Sequence, residues 1–99
     1  MRVVDNDLLA SVREQQRCEW CHRHGPVDAA HVFARGMGGG SRLDIPENLV
    51  ALCRRDHNEH HAGKSPTRRE LLEVASRREG VSVEAITDLI YLLRRKPKP

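Results

Sequence analysis

Ninety-nine residues, 38% of them hydrophobic and only three aromatic, make one small domain with a thin core, of the size that metal binding or oligomerisation often supplements. Seventeen Lys and Arg against fourteen Asp and Glu leave a formal charge of +3, which suits an anionic partner such as nucleic acid without demanding one. Three cysteines cannot close a set of disulfides, no apolar run of signal-peptide length opens the chain, and no segment is long and apolar enough to span a membrane. The chain therefore reads as a single intracellular, cytoplasmic domain over residues 1–99, with reduced thiols free for metal.

The predicted elements run as follows. Asp5 to Arg17 reads as a helix with a short apolar stripe of Leu8, Leu9 and Val12, capped by Asp5 or Asn6. "CEWCHRHGP" breaks that pattern and reads as a tight knuckle ending in a Gly-Pro turn. "VDAAHVFA" has the composition of a short strand, and "RGMGGGSRLDIPE" that of a glycine-rich loop. "NLVALC" predicts a second strand, and Cys53 to about Gly63 permits a helix. Ser65 can cap the next helix with Pro66 at its first position, and Thr67 with Glu70 fits a capping box slightly later. Leu71, Leu72, Val74 and Ala75 line that helix and Gly80 stops it. Ser82 caps the last helix, where Val83, Ile86, Leu89, Ile90 and Leu93 recur at helical spacing. "RRKPKP" is a basic, proline-broken tail, and no internal repeat is present.

Metal-ligating residues concentrate in two places. Cys18 and Cys21 form Cys-x-x-Cys, a spacing at which both thiolates can reach one ion; without the βαβ context of a redox dithiol, metal is the stronger reading. Far downstream, Cys53 offers a third thiolate. Candidates for a fourth zinc ligand are Asp56, His57, His22 and His24. His57 and His61, four apart, share one helical face and can bind one cation together, whereas His60 is expected to be exposed and incidental.

"AHVFARGMGGG" followed by "ENLVALCRRDHNEHH" resembles the HNH endonucleases, in particular the zinc-binding subgroup common in bacteriophage and restriction systems. The resemblance covers roughly Cys18 to Gly63. It implies an α+β fold: a ββα-metal (His-Me finger) core over residues 18–63 with a structural zinc, flanked by an N-terminal helix over 1–17 and a C-terminal helical pair over 65–95. It implies a hydrolase that cuts DNA phosphodiesters with one divalent cation, Mg²⁺ or Mn²⁺, leaving a 5′-phosphate and a 3′-hydroxyl. His31 would be the general base, Asn48 would orient the His31 ring through its amide, and His57 would ligate the catalytic cation with His61 as candidate second ligand. The family usually carries Asp or His immediately before the base. Here that residue is Ala30, and Asp28, two earlier on the same strand face, is the candidate replacement. The subgroup usually has Cys or His three residues after the third thiolate, where this chain has Asp56. The structural zinc would then sit on Cys18, Cys21 and Cys53 with Asp56 as the fourth ligand, and His22 and His24 as competitors for that place.

DNA is the expected partner, with Arg35, Arg42 and Arg54 as candidate phosphate contacts. Gly36, Gly38, Gly39 and Gly40 could let the backbone approach DNA. Trp20 reads as packing rather than base stacking. The pairs Arg68-Arg69, Arg77-Arg78 and Arg94-Arg95 read as solvated helix faces. The stripe on Ile86, Leu89, Ile90 and Leu93 can pack internally or pair with a second copy, so a homodimer or a phage or restriction partner protein is open.

Overall fold

Side-chain caps start three of the four helices among the described residues of this α+β chain, and a left-handed residue ends the first of them early. The computed structural model describes residues 2–33 and 42–94. Helix α1, Asn6–Glu14, begins where Asp5 Oδ1 accepts the Leu8 N–H at 2.9 Å, and it buries Leu9 and Val12. The sequence predicts this helix to Arg17. It stops sooner because Gln16 takes a left-handed φ of 51°, which turns the chain back on itself. The Gly25 N–H then bonds the Gln16 carbonyl at 2.9 Å, and Arg17 pairs antiparallel with His24. That reversal frames the cysteine knuckle.

Strand β1, Asp28–His31, pairs antiparallel with β2, Leu49–Leu52, in the register Asp28↔Leu52, Ala29↔Ala51, Ala30↔Val50 and His31↔Leu49. Both strands are shorter than their sequence patterns. All four residues of β2 are buried, because α1 and the two helices that follow the strand all pack on it. Its outer edge is closed by Glu19 of the knuckle. The Glu19 N–H donates to the Ala51 carbonyl at 2.8 Å, and the Ala51 N–H donates to Glu19 Oε1 at 2.9 Å.

Arg78 completes the same edge. It reaches Glu19 at 2.8 Å, and the carbonyls of Pro46 and Leu49 at 2.6 and 2.8 Å. Arg78 is therefore a strut between its own helix and the sheet, not the solvated residue that its charge predicts; five donors in a planar fork suit that task. Arg68 also departs from the expectation, lying over the Phe33 ring at 4.9 Å. The glycines at 36 and 38–40, with Arg35 and Arg95, lie outside the described residues.

Asn48 ends a 3-10 turn, Pro46–Asn48, and is fully buried. Its Oδ1 accepts the Phe33 N–H at 2.8 Å, and its amide donates to the carbonyls of Leu43 at 2.9 Å and Phe33 at 3.3 Å. The expectation that this amide orients the His31 ring is corrected here: its polar atoms bond the backbone of Phe33 and Leu43 instead. Asn48→Ala is expected to lose about 2–4 kcal/mol of stability, since three buried backbone groups lose their partner. A denaturant titration of the metal-loaded chain checks this, and an unchanged midpoint would refute it.

Helix α2, Arg54–His61, follows Cys53, and α3, Arg68–Glu79, opens on a complete capping box between Thr67 and Glu70. Ser65 is not the cap; its hydroxyl donates to Glu70 Oε1 at 2.8 Å. Gly80, at φ 72°, ends α3. Helix α4, Val83–Arg94, starts where Ser82 Oγ accepts the Ala85 N–H at 3.0 Å. Ile86 and Ile90 are buried against the rest of the chain, Leu89 and Leu93 are half-buried, and Tyr91 and Leu92 face outward. No helix among the described residues is long and apolar enough to cross a membrane.

Candidate metal centre and adjoining cleft

The bonds between Glu19 and Ala51 set the knuckle against the end of β2, and so bring Cys18 and Cys21 to Cys53. Within the knuckle the Cys18 N–H bonds the Arg23 carbonyl at 2.9 Å, the His22 N–H bonds the Cys18 carbonyl at 3.0 Å, and the Cys21 N–H points at Cys18 Sγ at 3.5 Å. His22 takes a left-handed φ of 67° to complete the turn. Cys21 Sγ and Cys53 Sγ lie 3.9 Å apart, and Asp56 on the first turn of α2 accepts from Cys18 Sγ at 3.2 Å.

One ligand atom from each of Cys18, Cys21, Cys53 and Asp56 lies within 4.8 Å of the others, so this set could hold a metal ion. The competing histidines fall away: His22 and His24 are exposed and do not belong to the group. The donor chemistry fits a structural zinc, with three sulfurs and one carboxylate on a largely buried site. Burial pushes the Cys53 thiol up to about 11, reinforced by the Asp56 carboxylate and by Cys21, against a bond from the Asp56 N–H. Burial also works to raise Asp56, yet hydrogen bonds from the three cysteines and the charge of Arg55 bring it below its ordinary value. A cation bound here would displace the thiol protons into solvent, so metal binding at this site is coupled to proton release.

Asp56 and His57 are adjacent but face different tasks. His57 and His61 turn to an open cleft of about 460 Å³, lined also by His31, Arg42, Ala29, and Leu9 and Arg13 of α1. His57 Nε2 and His61 Nε2 stand 3.0 Å apart, and the rings are 4.6 Å between centroids. Desolvation, then the nearby His57 and His60, lower the His61 pKa, which favours the neutral ring that a cation needs.

Asp28 takes a different place from the one expected for a cation ligand. Its Oδ2 lies 2.9 Å from His57 Nδ1 and its Oδ1 lies 3.2 Å from Arg54, and it does not line the cleft. It is a partner behind His57: accepting Nδ1–H, it fixes the ring so that Nε2 carries the lone pair. Ala30, the residue before His31, is 1% exposed and brings no ligand. His60 is not incidental either; it is half-buried, and its Nδ1 lies 2.7 Å from the Pro66 carbonyl.

Two residues, one on the cleft and one beneath it, escape the sequence patterns. Arg13 adds a cation from α1, which carries no motif. Asp44 lies beneath His31, its Oδ1 2.7 Å from His31 Nε2. Burial would raise its pKa, but bonds from Arg42, His31 and the Asp5 N–H hold it down at about 2. A signal for it was present: in "SRLDIPEN", Arg42 and Asp44 are two apart on extended chain and share a side, so the charges can pair. Arg42, expected on phosphate, is bound to Asp44 at 2.7 Å while still lining the cleft; Arg54 is largely exposed beside Asp28; Arg35 lies outside the described residues.

Comparisons with protein-family models, with curated proteins and with solved structures find no significant match.

Proposed function

We propose that this chain is a metal-dependent DNA endonuclease of the HNH type, built as a ββα-metal core on a structural zinc. The observation that carries the reading is the cleft itself: His31, His57 and His61 open into one space beside Arg13 and Arg42. The zinc would sit on Cys18, Cys21, Cys53 and Asp56, the catalytic cation on His57 and His61.

His31 takes a proton from the attacking water, a task for an imidazole whose ordinary pKa is about 6.5. Arg13 and Arg42 draw the phosphate into the cleft with positive charge. Asp28 holds the His57 ring in the tautomer that offers Nε2, and the spacing of His57 and His61 presents two nitrogens together. A divalent cation bound there supplies Lewis-acid stabilisation of the phosphate's developing charge and of the departing 3′ oxygen. Supercoiled plasmid incubated with the zinc-loaded chain and Mg²⁺ or Mn²⁺ should be nicked and linearised; intact plasmid under both metals defeats the reading.

Ala30 favours a second reading, a zinc-stabilised nucleic-acid-binding module without catalysis. With no ligand at that position and Asp28 committed to His57 and Arg54, a cation would have only two protein donors on the described residues. That module binds DNA with an affinity that falls steeply with salt and cuts nothing.

A further inference from the structure

The carboxylate of Asp44 is surrounded by donors. Oδ1 faces His31 Nε2 at 2.7 Å and Arg42 Nε at 3.0 Å. Oδ2 faces the Asp5 N–H at 2.9 Å, with Arg42 NH2 at 2.7 Å and Nε at 3.0 Å. The side chain is wholly buried. The backbone around it is pinned too: the Val3 N–H bonds the Arg42 carbonyl and the Asp44 N–H bonds the Val3 carbonyl, each at 2.9 Å. Residues 3 and 43 thus pair side by side, and Asp44 is delivered to the underside of the His31 ring from a fixed frame.

An ionised carboxylate only accepts hydrogen bonds. Its partner nitrogen on His31 must therefore carry the hydrogen, and a neutral ring with a hydrogen on Nε2 has its lone pair on Nδ1. Among the described residues Nδ1 takes no hydrogen bond, and His31 lines the cleft. We infer that Asp44 is a positioning residue that fixes His31 as the Nε2–H tautomer and turns Nδ1, as the proton-accepting nitrogen, to the cleft. Arg42 has a share in this. Its guanidinium donates to both Asp44 oxygens and balances the carboxylate's charge. As a statement about base catalysis this rests on the nuclease reading; as a statement about the ring it does not.

The sharpest probe is Asp44→Asn. Arg42 and the Asp5 N–H are donors and will keep the amide oxygen, so the amide NH₂ is left facing His31 Nε2. The ring must then accept there, move its hydrogen to Nδ1 and lose the nitrogen that would take a proton from water. Loss of the correct tautomer in a Ser-His-Asp triad costs about 10⁴-fold in turnover. A fall of about 10³- to 10⁴-fold in plasmid cleavage, with DNA binding kept, is expected here for the same reason.

The test combines ¹⁵N-detected imidazole spectra of the zinc-loaded full chain with plasmid cleavage, on wild type and Asp44→Asn. A neutral wild-type His31 with its hydrogen on Nε2, inverted in the variant, supports the inference. A wild-type ring with its hydrogen on Nδ1 overturns it, and this reading holds even if the variant fails to fold. Cleavage by a folded variant within tenfold of wild type overturns the catalytic part. If the wild type cuts no DNA while its ring shows the stated tautomer, the nuclease reading falls and the assignment of Asp44 stands.

Discussion

Stripping the metal from Cys18, Cys21, Cys53 and Asp56 is expected to unfold the chain. The four ligands come from two segments, the knuckle and the junction of β2 with α2, that meet at the site. Structural zinc in small modules contributes on the order of 10 kcal/mol at neutral pH. Whole domains of this size are stable by only about 5–15 kcal/mol. With three aromatic residues in the chain, the apolar core has little surplus to offset such a loss. Without the cation, the same four groups keep only thiol-to-carboxylate hydrogen bonds, a far weaker tie between the two segments than metal ligation. A chelator titration followed by far-UV circular dichroism, with metal content measured on the same samples, reads the outcome. Loss of helical signal and of a cooperative melt is expected, and Cys53→Ser should reproduce it. A metal-free chain that melts at the original temperature sinks the structural role.

His31→Ala should leave the fold standing and remove the chemistry. A positioned general base is worth about 10²- to 10⁴-fold, and cleavage should fall by that amount. The fold survives because Asp44 keeps Arg42 and the Asp5 N–H when the ring is deleted. DNA affinity should be unchanged, since Arg13 and Arg42 remain at the cleft. Nicking rates at saturating DNA separate these two quantities. A variant that cuts within tenfold of wild type removes His31 from the base role. Weakened binding at an unchanged rate would make it a phosphate contact instead.

What the sequence made legible depends on how local the cause is. The caps at Asp5, Thr67 with Glu70, and Ser82 act within one turn, and each begins a helix close to where its pattern predicts. The three cysteines were readable as metal ligands from spacing and residue type, whereas the fourth place stayed open among Asp56, His57, His22 and His24 until the fold gathered Asp56 with the thiols. The short reach of α1 was not. It depends on a left-handed Gln16, a conformation imposed by docking of the knuckle rather than by any preference of glutamine. Arg78, Asn48 and Asp44 were misread or missed for a related reason. Each acts on backbone or on a partner that only the folded chain brings to it. Asp28 shows the limit of face arguments. The pleat places it beside Ala30, but Arg54 and His57 determine where its oxygens point.

The closure of β2 by Glu19 and Arg78 has a consequence outside catalysis. Leu49–Leu52 reads L-V-A-L, a short apolar strand whose free edge would be a ready template for another chain. The native guard on that edge is the knuckle, and the knuckle keeps its shape through the cysteines it shares with the metal centre. If the proposed zinc holds the knuckle in place, chelation does more than empty a binding site: it uncovers that strand edge. On the zinc reading, metal supply and solubility become one variable, and the stripped chain is expected to aggregate as it loses its fold.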